Sequence, residues 1–155
     1  MPTDPAETPA DPLRRVGAVV VAAGKGTRMG GEVPKQYQAL GGRTVLARTV
    51  ARLAAHPAIA DIVVVVHPDE AGRARAALPD DVPTVAGGAT RAASVAAGLA
   101  ALPEGVTHVL IHDAARPFVT HALIDRVLAA LERAPGAAPA LAVTDALWRE
   151  GPAGT

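Results

Sequence analysis

The sequence predicts an α/β layered fold with a mostly parallel sheet, and three observations carry that reading. Near-continuous β-branched runs recur at residues 16–22, 62–66 and 109–111, segments of helical periodicity separate them, and the most unusual glycine-rich or acidic stretches follow the runs directly. Strands covered on both faces read as unbroken apolar runs, and strands alternating with helices form parallel sheets.

Each element has its own warrant. Val16 to Ala22 (VGAVVVA) is a buried strand that opens straight into a glycine-rich loop. Thr44 can cap a helix running to about His56, because Val45, Leu46, Val50, Leu53 and Ala54 share a face and Pro57 closes it. Ile62 to Val66 is a second buried strand. Asp69 to Leu78 has helical composition and stops at Pro79, and a short strand at Thr84 to Ala86 leads into the pair Gly87 and Gly88. Thr90 to Leu102 reads as a helix, and Val109 to Ile111, flanked by His108 and His112, as a third strong strand. Ala122 to Arg133 makes a helix with Leu123, Val127, Leu128 and Leu131 on one face, and Ala138 to Val143 reads as one more strand. Residues 1–14, with three acids, four prolines and no apolar run, predict a disordered tail and no targeting peptide, which leaves 15–155 as a single domain.

Composition excludes several functions. Lys plus Arg equals Asp plus Glu, 15 against 15, so no net field draws the chain to nucleic acid or an anionic membrane. The absence of Cys removes disulfides, thiolate zinc sites and thiol nucleophiles. Tyr37, Phe118 and Trp148 are the only aromatic residues, too few for a base-stacking surface. No stretch approaches the roughly 18 apolar residues of a membrane span, so a soluble, cytoplasmic protein is expected.

Three segments carry chemistry, each at the carboxyl end of a strand, where parallel α/β sheets place their ligands. The first is AAGKGTRMGGEVPKQ, residues 22–36. Gly24, Gly26, Gly30 and Gly31 free the backbone, and Lys25, Arg28 and Lys35 supply positive charge, a combination suited to a triphosphate; a mobile strand-to-helix turn is the plain alternative. The spacing Gly24, Gly26, Gly30 is neither a dinucleotide fingerprint nor a Walker loop. The second is GGATRAASVAAGL, residues 87–99, where Arg91 and Ser94 stand three apart near a helix N-terminus and could hold a base edge or phosphate oxygens. Ser94 as an ordinary helix serine and Gly98 as a packing glycine is the competing reading. The third is HDAARPF, residues 112–118. Asp113 can face the cleft and bind Mg²⁺, or form a structural ion pair with Arg116 at the turn. His108 and His112 share a strand face, and without a third ligand they read as packing histidines.

Together the AAGKGTRMG loop with PKQY (Pro34 to Tyr37), GG-x-x-R-x-x-SV (Gly87 to Val95) and HDAARP (His112 to Pro117) resemble the 2-C-methyl-D-erythritol 4-phosphate cytidylyltransferase family over residues 16–149. The resemblance implies a Rossmann-like three-layer nucleotidyltransferase fold, of the nucleotide-diphospho-sugar transferase kind. It also implies a Mg²⁺-dependent reaction in which methylerythritol phosphate attacks the α-phosphate of CTP and pyrophosphate leaves, in a homodimer. By the same resemblance, Arg28 and Lys35 are the catalytic cations, and Ala22, Ala23, Gly24, Gly88 and Ser94 hold cytosine and ribose. Lys25, Gly26, Arg91, Ala114 and Arg116 complete the nucleotide set, and Asp113 is the metal ligand. Two positions depart from the family: Ala89 replaces an acid that some members carry, and Ala146 follows Asp145 where members usually have a threonine. Members also continue well beyond position 155, so the chain is expected to be an N-terminal portion, incomplete at its C-terminus and inactive alone. Ribitol-phosphate cytidylyltransferases share similar blocks, sugar-1-phosphate nucleotidyltransferases share the first loop but are expected to lack HDAARP, and a non-catalytic CTP-binding module is the reading from a different class.

Overall fold

A computed structural model describes residues 15–24 and 33–144. The tail expected at 1–14, Lys25, Gly26 and Arg28 of the first loop, and Asp145, Ala146 and Trp148 lie outside the described residues. The chain divides into two compact units, Met1–Thr120 and His121–Thr155.

The first unit is built on a parallel sheet. Its strands are β1 (Val16–Ala22), β4 (Ile59–Val66), β5 (Thr84–Ala86) and β6 (His108–Asp113), in the order β5-β4-β1-β6. β1 pairs in parallel with both β4 and β6. Val16, Ala18, Val19 and Val20 are fully buried, as expected for a strand with neighbours on both edges and cover on both faces. The chain steps outward from β1 to β4 and β5, then returns to the other side of β1 as β6, so the topological switch point falls between β1 and β6.

Helix α1 (Val45–Ala54) starts where the side-chain oxygen of Thr44 accepts the Ala47 N–H at 3.1 Å. It buries Leu46, Thr49, Val50 and Leu53 on one face. Helix α2 (Ala71–Ala77) follows a 3₁₀ turn at Pro68–Glu70, which replaces the first turn of the single helix expected over 69–78. Pro68 cannot donate a backbone hydrogen bond but tolerates a first helical turn. Helix α3 (Arg91–Ala100) is capped by Thr90, whose side-chain oxygen accepts the Ala93 N–H at 3.1 Å. α3 packs so closely on the sheet that a Cβ at Gly98 would overlap Val19 and Val65, which settles Gly98 as a packing glycine. A short hairpin, β2 (Ala39–Leu40) with β3 (Arg43–Thr44), turns through Gly41 and Gly42 at φ 56° and 82°. Those left-handed angles suit the tight turn of a two-residue hairpin and disfavour any side chain.

The second unit contains helix α4 (His121–Leu131), which buries Ile124 and Leu128. The strand expected at Ala138 to Val143 is absent, because residues 135–144 take no regular structure. A strand exists only where its backbone finds a ladder partner, Pro139 removes one of the donors, and Leu141 is left 95% exposed.

Candidate active site at the carboxyl ends of the strands

Register aligns the strand ends in a row. Ala22 pairs with Val66, Val66 with Ala86, and Val21 with Asp113. The segments that follow, Ala23–Gly24, His67, Gly87–Arg91 and Asp113–Arg116, therefore rise together on one rim of the sheet. They enclose a cavity of about 910 Å³, to which Lys35 and Gln36 contribute from the 3₁₀ turn Lys35–Tyr37. That volume suits a nucleotide-sized ligand. Of the residues expected to bind nucleotide or metal, the structure brings Ala22, Ala23, Gly24, Lys35, Gly88, Arg91, Ser94, Asp113, Ala114 and Arg116 to this cavity. Lys25, Gly26 and Arg28 lie outside the described residues.

Asp113 is the acid on this rim. Its Oδ1 accepts from an Arg91 guanidinium N–H at 3.0 Å and its Oδ2 from Arg116 Nε at 3.1 Å. Burial pushes the carboxyl pKa upward, but the hydrogen bonds and charges of Arg91 and Arg116 outweigh burial and hold it below the ordinary aspartate value. The ion pair weighed as the alternative for Asp113 and Arg116 is thus present, and Arg91 joins it from the start of α3. The side chains remain accessible, 41% for Asp113 and 65% and 73% for Arg91 and Arg116, so incoming phosphates can reach both guanidinium groups.

Ser94 is 2% exposed, and its hydroxyl works on the glycine loop. Its Oγ accepts the Gly88 N–H at 3.2 Å and lies 3.0 Å from the Thr90 carbonyl and 3.3 Å from that of Gly88. The absence of a Cβ at Gly87 and Gly88 permits this fold, since one there would overlap Ala23 and Ala93 respectively. Ser94 therefore shapes the wall that the 87–90 backbone presents.

Two buried polar residues that sequence reasoning passed over complete the support. Gln36, 6% exposed, donates through Nε2 to the carbonyls of Ala22 at 2.9 Å and Gly24 at 3.1 Å. Thr49, fully buried on α1, donates to the Ala114 carbonyl at 2.7 Å, while the Ala114 N–H bonds to Val21. The turn behind Asp113 is thereby tied to both α1 and β1. Gln36 stands within the PKQY block with no role assigned to it, and Thr49 carries no sequence signal beyond a polar residue among the apolar ones of α1. His67, which also lines the cavity, accepts the Asp69 N–H at its Nδ1 and starts the 3₁₀ turn.

Among the described residues no three His, Asp or Glu side chains converge as a closed metal cage. His108 meets Thr107 Oγ1 at 3.0 Å and His112 meets the Arg116 carbonyl at 2.9 Å, both hydrogen bonds being exposed. An accessible carboxylate between Arg91 and Arg116 is compatible with Mg²⁺ once phosphates occupy those guanidinium groups, since Mg²⁺ takes one or two carboxylates and leaves its other positions to water and phosphate oxygens.

Strand order and cavity position define the class: an open parallel α/β sheet with its ligand cavity at the switch point. Comparison with known proteins narrows it further. The family model described as IspD, 2-C-methyl-D-erythritol 4-phosphate cytidylyltransferase, matches residues 16–155. A 2-C-methyl-D-erythritol 4-phosphate cytidylyltransferase of Cereibacter sphaeroides is 55% identical over 137 residues, covering 85% of this chain and 60% of that protein. A bifunctional IspD/IspF enzyme of Rhodobacter capsulatus is 56% identical over 136 residues, covering 86% of this chain and 35% of that one. Among solved structures, the 4-diphosphocytidyl-2C-methyl-D-erythritol synthase of Anaerococcus prevotii superposes with a TM-score of 0.65 at 29% identity, over 78% of this chain and 52% of its own. The chain belongs to the 2-C-methyl-D-erythritol 4-phosphate cytidylyltransferase family, and it spans 60% of the length of the first of these relatives.

Proposed function

We propose that this chain provides the CTP-binding part of an enzyme that transfers CMP from CTP to 2-C-methyl-D-erythritol 4-phosphate, releasing pyrophosphate, in isoprenoid precursor synthesis. The observation that carries the reading is the strand-end cavity, where Arg91 and Arg116 hold Asp113 and Lys35 lines the same space beside the glycine-freed backbone of 22–24 and 87–88.

The chemistry asks the protein for position and charge compensation. The backbone of Ala22 to Gly24 and Gly88, held in shape by Ser94, takes the cytosine and ribose. An acceptor phosphate oxygen attacks the α-phosphorus, a new P–O bond forms, and the bond to the bridging oxygen of the β-phosphate breaks with its electrons leaving on pyrophosphate. Lys35 compensates the charge that builds on the α-phosphate, as would Arg28. Arg91 and Arg116 meet the phosphates they can reach by releasing Asp113. Asp113 would then hold Mg²⁺, which supplies Lewis-acid stabilisation of phosphate oxygens when bound. Binding of CTP is the part of this reaction that the described residues account for. A cytoplasmic location, where CTP and phosphorylated acceptors are found, follows from the same reading, and the family resemblance implies a homodimer.

Titration of the chain with CTP and Mg²⁺ by calorimetry tests this, with pyrophosphate release followed on adding methylerythritol phosphate or ribitol phosphate. Saturable binding of CTP in preference to ATP, GTP and UTP is expected. Equal affinity for all four nucleotides, or none, contradicts the proposal, and release with ribitol phosphate alone reassigns the acceptor.

A further inference from the structure

The end of β1 at Ala22–Gly24 and the 3₁₀ turn at Lys35–Tyr37 flank the glycine-rich segment of the sequence, and among the described residues one side chain, Gln36, bonds the first to the second. Gln36 is buried, and both hydrogens of its amide have a carbonyl to meet: Ala22 at 2.9 Å and Gly24 at 3.1 Å. The residue before it, Lys35, lines the cavity, and the backbone around it is stiffened by the Tyr37 N–H to Pro34 carbonyl bond and the Gln38 N–H to Lys35 carbonyl bond. Gln38 adds a bond from its own amide to the Val33 carbonyl. Because a peptide unit is planar and trans, a carbonyl of Ala22 aimed at Gln36 turns the Ala23 N–H the opposite way. One glutamine amide thus sets the orientation of the strand-end peptides and the position of the lysine opposite them.

We infer that Gln36 is a positioning residue for nucleotide binding, a clamp across the stem of the first loop that holds the 22–24 backbone and Lys35 in the arrangement the phosphates and ribose require. The inference rests on the CTP-binding reading above. Only a side chain of this length with two donors does this. Asparagine is one methylene shorter, and a carboxylate would set negative charge against two carbonyl oxygens.

The test uses the whole chain and calorimetric titration with CTP and Mg²⁺, with circular dichroism confirming the same folded fraction in each protein. Gln36→Met keeps the shape and removes both donors, and its CTP affinity is expected to fall about tenfold, in line with two buried carbonyls losing their partner. Gln36→Glu provides the second arm. Burial and the facing carbonyl dipoles raise the pKa of the introduced carboxyl, so lowering the pH restores one donor. Its affinity relative to the natural protein should recover between pH 8 and pH 6 in the sense of tightening on acidification. Taking the ratio cancels every pH effect that both proteins share, whether from CTP or from the charged and polar groups that line the cavity, Lys35, His67, Arg91, Arg116 and Asp113. Gln36→Met binding within twofold of the natural protein overturns the inference. So does a ratio for Gln36→Glu that is flat with pH, and this arm decides the matter if the Met variant does not fold. Failure of the natural protein to bind CTP is a different result and counts against the function itself.

Discussion

Gly98→Ala sets two effects of known size against each other. Helix propensity favours alanine over glycine in a helix interior by about 1 kcal/mol. The packing argument points the other way. The new methyl would overlap Val19, which is fully buried, and come within 2.7 Å of a Val65 methyl, also fully buried. Both neighbours are β-branched and held in the central strands, so neither can rotate aside cheaply, and forcing a methyl into such a core costs roughly 1–3 kcal/mol. Two overlaps with immobile valines place the packing cost near the upper end of that range, so the net expectation is destabilisation of about 1–2 kcal/mol, or a melting temperature lowered by roughly 5 °C. The same shim lifts α3 from the sheet, and α3 carries Arg91 and Ser94 into the cavity, so CTP affinity should fall along with stability. Thermal melts of the two proteins, paired with CTP titration, give both readouts. A melting temperature equal to or above that of the natural protein would refute the close packing of α3 on β1 and β4.

The remaining expectations concern the supports of the site. Asp113 has its folded-state pKa lowered by Arg91 and Arg116, so its stabilising contribution is present above the unfolded aspartate value and is lost as pH falls through the folded one. Denaturant midpoints between pH 6 and pH 2.5 should show Asp113→Asn removing part of the natural protein's acid loss. The effect stays below about 1 kcal/mol because the pair is well exposed, and parallel curves for the two proteins would contradict it. Thr49→Val preserves shape but leaves the Ala114 carbonyl without its α1 donor, and urea unfolding should report a loss of about 1–3 kcal/mol; an unchanged midpoint would show that the bond contributes nothing. Gly42→Ala places a methyl residue at φ 82°, and a cost of roughly 1 kcal/mol is expected by the same assay, with a stabilised variant excluding the left-handed turn.

What was legible in the chain follows from how local each signal is. β1 and β4 announce themselves because strands buried on both faces need unbroken β-branched runs, and Thr44 and Thr90 mark helix starts because a capping oxygen must precede the first turn. The hairpin of β2 and β3 was passed over although Gly41-Gly42 is its sequence mark, since two-residue strands are too short for periodicity to register. The run at 138–143 has apolar composition but pairs with no strand among the described residues, and composition alone does not reveal whether a ladder partner is present. In the site, the Asp113–Arg116 pair was readable from a separation of three residues. Arg91, 22 positions from Asp113, reaches the same carboxylate only through the strand order. Gln36 and Thr49 were invisible for a related reason: their importance lies in which carbonyl each one faces, and that is a property of the assembled fold.

The backbone at 22–24 and 87–88, with Lys35, Arg91 and Arg116, is proposed as the seat for CTP. A crystal structure of the chain with CTP and Mg²⁺ tests it most directly. The cytosine should lie between the ends of β1 and β5, with the triphosphate drawn toward the three cations and Asp113 turned from the arginines to the metal. Nucleotide density at any other place, or an Asp113 still held by both guanidinium groups with the phosphates bound elsewhere, would contradict the account.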